Sequence, residues 1–274
     1  MIVDTHVHVW ELDESHRPAA DARVSGPSEA APVEWLLEDM AAFDVDHCVL
    51  VQSSAFGWDN TYMVECLERY PGRFRAIGLV DPLHPDNAQH LRDWMKKGLS
   101  GFRLHPLYYP DRPVWIDAPE HDALWSTAAD TGAILQFHML PEHAAPLARM
   151  IARHPTVRVI VDHLGKPDVT EAAPYPAFDP VLRLADFPLV WVKIGDYQIA
   201  SRQAFPWRDT EPFVAKLRAT FGARRMIWGT GYPGRARLVL LADALRYVRQ
   251  ELPCLTAGDV DQILGSTPRG LFEF

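Results

Sequence analysis

Apolar residues along this chain gather into short unbroken runs, separated by longer stretches of helical spacing. The first run is MIVDTHVHV, residues 1–9. Residues 33–43 follow, with Trp35, Leu36, Met40 and Phe43 spaced as on one helical face. Seven more runs come after: HCVLVQ (47–52), FRAIGLV (74–80), GFRLH (101–105), AILQFHM (133–139), VRVIVDH (157–163), LVWVKIG (189–195) and RMIWGTG (225–231). Helical spacing recurs at 62–70, 87–97, 121–131, 142–153 and 238–250, and Gly98 is placed to cap the 87–97 segment. The run ending at residue 231 closes a set of eight strands, the run at 1–9 being the first. Most runs are apolar on both faces, as parallel strands covered by helices are. Eight alternations within 274 residues predict a single α/β domain, residues 1–274, folded as a (β/α)8 TIM barrel. A doubly wound open sheet would carry a glycine-rich turn after the first strand, and none is there. Three Pro-rich or small-residue stretches, 14–32, 108–119 and 166–180, follow strands as loops. The first is placed to fold over a site.

Polar residues interrupt these runs at their ends. His6 and His8, two apart in a strand, share a face. Gln52, Arg103, His105, His138, His163, Lys193 and Asp196 close later runs. In a TIM barrel the C-terminal strand ends carry the chemistry, so His6, His8, His138 and His163 are expected to share one site. Arg103 sits in an apolar run, where an unpaired charge is costly. It is expected to face the pocket and bind a substrate carboxylate or carbonyl, the alternative being an ion pair on the rim. His105 is either a substrate or catalytic residue or a hydrogen-bonded core histidine. Lys193 either meets substrate or donates to carbonyls. Gln52 joins the substrate-facing set, as does Trp10, which leaves the first strand at the barrel mouth. Trp58, Trp191 and Trp228 read as core. His16, His84, His90, His121, His143 and His154 read as surface residues or helix caps.

The formal net charge of -9 argues against nucleic acid and anionic lipid as partners. No apolar run is long enough to span a membrane, and no basic-then-apolar segment marks a signal peptide. Cys48, Cys66 and Cys254 are an odd, scattered set, expected to stay reduced in the cytoplasm. The expected partner is a small-molecule substrate, with a homo-oligomer left open.

DTHVHVW, GFRLHP, QFH, VDHLGKP, VKIG and IWGTGYP, in that order, resemble the amidohydrolase superfamily. The match is to its lactonase-like branch, the type of 2-pyrone-4,6-dicarboxylate and sugar-acid lactonases. The resemblance implies a TIM-barrel hydrolase that opens a cyclic ester of a small anionic or polyhydroxylated acid. It implies that His6, His8, His138 and His163 hold a divalent metal, zinc or manganese. A metal-free form, in which histidines polarise the lactone carbonyl, also belongs to this branch. Catalysis would rest on His6, His8, His163, Arg103 and a base. The family's strand-eight motif carries an aspartate in a Gly-Ser-Asp-x-Pro pattern, and here Gly231 stands in its place. Glycine cannot accept a proton, so the base must come from elsewhere: Asp196, a histidine, or Asp4. Strand alternation is expected to turn Asp162 to the face opposite His163. The rival readings are a metal-dependent decarboxylase or hydratase of the same superfamily, and a non-catalytic barrel that binds a metabolite.

Overall fold

A computed structural model describes residues 1–19, 24–108, 115–234 and 237–274. Parts of the predicted loops 14–32 and 108–119 therefore lie outside the described residues. Eight parallel strands follow one another around the sheet in chain order: β1 (Val3–Val7), β2 (His47–Val51), β3 (Phe74–Leu79), β4 (Gly101–Leu104), β5 (Ile134–Phe137), β6 (Val159–Val161), β7 (Val190–Gly195) and β8 (Met226–Gly229). The last meets the first. Thr5 Oγ1 donates to the Trp228 carbonyl at 2.7 Å, Gly231 N to the His6 carbonyl at 2.9 Å and His8 N to the Tyr232 carbonyl at 2.8 Å. The sheet is thus a closed (β/α)8 barrel, as the alternation of runs predicts.

Outward-facing strand residues such as Leu50, Phe102, Leu135 and Val161 pack under the helical layer in one large core. Inward-facing Val49, Val51, Ile77, Ile134, Ile160 and Ile227 form a second core inside the barrel. Each such side chain contributes roughly 1.5–3 kcal/mol on full burial. From below, Leu271 and Phe272 of the C-terminal helix Thr267–Phe272 plug this inner core. Moving up each strand by two residues keeps the same face. Ile134 is therefore followed inside by Gln136, Ile160 by Asp162 and Trp191 by Lys193. The barrel interior changes from apolar to charged within one residue layer.

The helical layer begins with α1 (Val33–Ala42), α2 (Thr61–Arg69), α3 (Asn87–Lys96), α4 (Asp122–Thr131) and α5 (Ala144–Arg153), all at predicted places. Among the described residues, and apart from the single turn Tyr197–Ala200, two helices before β8 are not legible in the sequence. The short α6 (Asp179–Arg183) starts at an Asp-Pro pair and is too short for any period to show. The long one, Glu211–Phe221, lies between β7 and β8. The predicted helix at 238–250 runs as Arg237–Arg246 and ends in a wide turn, Tyr247–Glu251. Trp58 is exposed rather than core, and His121 and His143, expected as surface residues or helix caps, are buried at the N-cap positions of α4 and α5. No helix of the described residues is long and apolar enough to cross a membrane.

Strand β1 is irregular between Asp4 and Val7. The buried Asp4 carboxylate braces this irregularity. Its Oδ1 accepts from His6 N and from Thr230 N, both at 3.0 Å, and Oδ2 accepts from Thr230 Oγ1 at 2.6 Å. Asp4, a candidate base on sequence grounds, is in fact tied up by the backbone that aims His6.

Candidate active site

Asp162 is the hub of the polar layer. Its Oδ2 accepts from Arg103 Nε at 2.7 Å and from Gln136 Nε2 at 3.0 Å, and its Oδ1 lies 3.1 Å from Lys193 Nζ. Burial alone would raise this carboxyl, but Lys193 and Arg103 hold it at about 2. Asp162 thus faces the site and not, as strand alternation from His163 predicts, the opposite side. Asp162 continues the inward face of Ile160, and His163 reaches the site only because its backbone turns left-handed, with φ +50°. Asp162 was thus missed, although its parity with Ile160 was readable.

Lys193 donates to Gln136 Oε1 at 2.9 Å and to His6 Nδ1 at 3.1 Å. An ammonium only donates, so His6 Nδ1 accepts and the His6 proton sits on Nε2. His6 Nε2 lies 3.2 Å from His8 Nε2, and His8 Nδ1 lies 2.6 Å from the Val51 carbonyl. A carbonyl only accepts, so His8 carries its proton on Nδ1 and takes the His6 proton's hydrogen bond at Nε2. One directed chain runs from Lys193 through both histidines to the backbone. Gly229 makes room for it, since a Cβ there would lie 2.5 Å from His6 Cβ. Burial and the cations around it keep His6 far below the usual histidine range, and burial brings His8 to about 4.

His163 Nε2 lies 2.6 Å from Arg103 Nη2, and the guanidinium again only donates. The His163 proton therefore sits on Nδ1, which faces Asp196 Oδ2 at 3.5 Å. The His163 ring centroid is 4.5 Å from that of His6 and 5.2 Å from that of His138, and His138 is 5.4 Å from His105. The expected quartet is thus contiguous, with His105 at its edge, where its Nε2 lies 3.3 Å from Ser54 Oγ. Three ligand atoms, from His6, Asp162 and His163, lie within 4.8 Å of one another. Arg103, expected to face the pocket with an ion pair on the rim as the alternative, makes its ion pair inside the barrel, with Asp162. It is buried and bonded to Asp162 and His163, and the rest of its five N–H donors form no hydrogen bond to described residues.

Two predicted contributors stand apart. Gln52 uses its amide on the Asp59 carbonyl and Ser53 N. Trp10 donates to the Glu29 carbonyl at 2.7 Å. Both line a minor cleft that none of the clustered histidines reaches.

Asp196, at the end of β7, has φ +58° and accepts from Gln198 Nε2 at 2.8 Å. Burial raises its carboxyl to about 6. A Cβ built on Gly231 would lie 2.6 Å from Asp196 Oδ1. The Asp196 carboxylate therefore fills the space that a side chain at 231 would enter. With His163 it borders an open cavity of about 470 Å³.

The family profile described as Amidohydrolase matches residues 3–274. A curated protein of Hydrogenophaga intermedia named 4-sulfomuconolactone hydrolase is 26% identical over 231 residues, 84% of this chain and 74% of its own. An L-fucono-1,5-lactonase of Burkholderia ambifaria is 26% identical over 244 residues, covering 84% and 80%. The crystal structure of a probable 2-pyrone-4,6-dicarboxylic acid hydrolase from Acinetobacter baumannii, with citric acid bound, superposes with a TM-score of 0.85 at 21% identity, over 100% of this chain and 99% of that one.

Proposed function

Because the chain belongs to the amidohydrolase family, we propose that it hydrolyses a lactone, with Asp196 as general base. The observation that carries this reading is the carboxylate of Asp196, set where Gly231 leaves space and 3.5 Å from His163 Nδ1 at the cavity edge. The named lactone hydrolases among its relatives support the substrate class. Asp196 takes a proton from water as the oxygen attacks the ester carbonyl. Arg103 offers its remaining N–H groups to the carbonyl oxygen, where negative charge develops. When the tetrahedral centre collapses, the ring C–O bond breaks, and the Asp196 proton passes to the departing ring oxygen. The product is an open hydroxy acid. His163, donating from Nδ1 toward Asp196 and accepting from Arg103, holds the base and the electrophile in register.

The donor set does not fit a divalent metal. The His6 lone pair receives the Lys193 ammonium, the His8 lone pair receives His6, and the His163 lone pair receives Arg103. Asp162 is already matched by two cations. A dication placed among His6, Asp162 and His163 would meet Arg103 and Lys193 at close range. These contacts support a metal-free site in which the two side-chain cations supply the positive charge. Three free cysteines and the acidic composition support a cytoplasmic enzyme whose partner is a small organic molecule.

The test is ring opening of a panel of lactones in the presence of a strong chelator. Wild-type protein should retain its turnover, and Asp196→Asn should lose about 10²–10⁴-fold in kcat. Turnover abolished by chelation, or undiminished in Asp196→Asn, would contradict the assignment.

A further inference from the structure

Four consecutive residues after β6 have left-handed backbones: His163 (φ +50°), Leu164 (+60°), Gly165 (+71°) and Lys166 (+50°). Three of them are not glycine, and each costs roughly 1–2 kcal/mol in this region. The turn is closed by Gly165 N donating to the Asp162 carbonyl at 2.8 Å and Lys166 N to the His163 carbonyl at 2.9 Å. Strain of this kind persists where the surrounding structure imposes it, and it gathers at functional sites. Residues three apart on so tight a turn lie on the same side. The turn thus brings Lys166 beside His163, and both line the 470 Å³ cavity together with Asp196.

Lys166 differs from the other two cations of the site. Arg103 and Lys193 share Asp162. Lys166 is half-buried, yet its ammonium has no hydrogen bond or ion pair to any described residue. Burial pulls its ammonium below the ordinary lysine range, while the charge of Asp196 nearby opposes that shift. The outer wall, the more exposed part of the lining, has the opposite character and carries Glu142, Asp168 and Glu171 along with the exposed Arg202.

We propose that Lys166 anchors an anionic substituent of the lactone, a carboxylate or its chemical equivalent, so that the cavity selects singly charged acidic lactones over neutral ones. The acids of the outer wall would repel a second negative group at the far end. This inference rests on the lactone reading of the same cavity.

The experiment compares a five-membered lactone bearing a carboxymethyl group with its methyl ester, in wild type, Lys166→Met and Lys166→Arg. Wild type should favour the acid in kcat/KM by about 10–100-fold, the size expected of one charge-assisted hydrogen bond. Lys166→Met should reduce that preference to near unity, through KM for the acid, and Lys166→Arg should recover part of it. A preference for the acid that survives in Lys166→Met, or a wild type indifferent to the two compounds, would overturn the proposal. If wild type opens neither compound, the lactone reading fails on its own. Calorimetric binding of the matching cyclopentanone acid and its methyl ester then decides the role of Lys166. Tighter binding of the acid, lost in Lys166→Met, upholds the anchor, and equal binding of acid and ester overturns it.

Discussion

Asp196 and Gly231 work as a pair, although 35 residues separate them in the chain. Gly231 has φ +74°, and any Cβ there would press on Asp196 Oδ1 at 2.6 Å. Gly231→Ala should therefore displace the carboxylate as well as strain the backbone by about 1–2 kcal/mol. The expected result is a fall of at least about tenfold in kcat/KM, the size of a misplaced base, with a lowered melting temperature. Full turnover in a folded Gly231→Ala protein would show that Asp196 is free to act from another position. For the same steric reason, an aspartate placed at 231 would compete with Asp196 and would not restore a strand-eight acid.

At the scale of the strands, the charged layer is held by one carboxylate. Asp162 on β6 ties Arg103 of β4, Gln136 of β5 and Lys193 of β7. Replacing a single member of a buried ion network leaves uncompensated charge behind. Asp162→Asn should destabilise the protein by about 3–5 kcal/mol, read by denaturant unfolding. A loss under about 1 kcal/mol would mean that water or backbone shifts readily replace the carboxylate. Much of this level was legible in the sequence. Strand runs apolar on both faces gave away a barrel, and their polar ends gave away the site. Asp162 was legible in principle, two residues beyond Ile160, but the neighbouring His163 drew the alternation onto the wrong parity. The left-handed turn that rescues His163 was not legible, since only Gly165 among its four residues favours that conformation. Asp196 was visible as a strand-end acid. Its fit into the space beside Gly231 is a contact between β7 and β8, which no local pattern encodes.

For the molecule as a whole, the buried site couples stability to pH. Burial lowers His6, His8, His105, His138 and His163 below the usual histidine range. Unfolding lets each of them take up a proton below about pH 6.5, so the unfolded chain binds more protons and stability falls with pH. Asp4 and Asp196 act in the opposite direction. Burial raises both to about 6, so between about pH 6 and 4 the folded state holds their protons more tightly. Five histidines outnumber two carboxyls, and each net proton is worth roughly 1.4 kcal/mol per pH unit. The melting temperature should therefore drop steeply from pH 6.5 to pH 5, as calorimetry would show, and a flat profile would mean that the histidines are charged in the fold. The most direct test of Asp196 as a base in a metal-free site is the pH dependence of kcat/KM for lactone opening, measured with a chelator present. Wild type should lose activity below an apparent pKa of about 6, the value to which burial raises Asp196. In Asp196→Asn the residual activity should no longer follow that limb. An acid limb near 6 that persists unchanged in Asp196→Asn would contradict the assignment of Asp196.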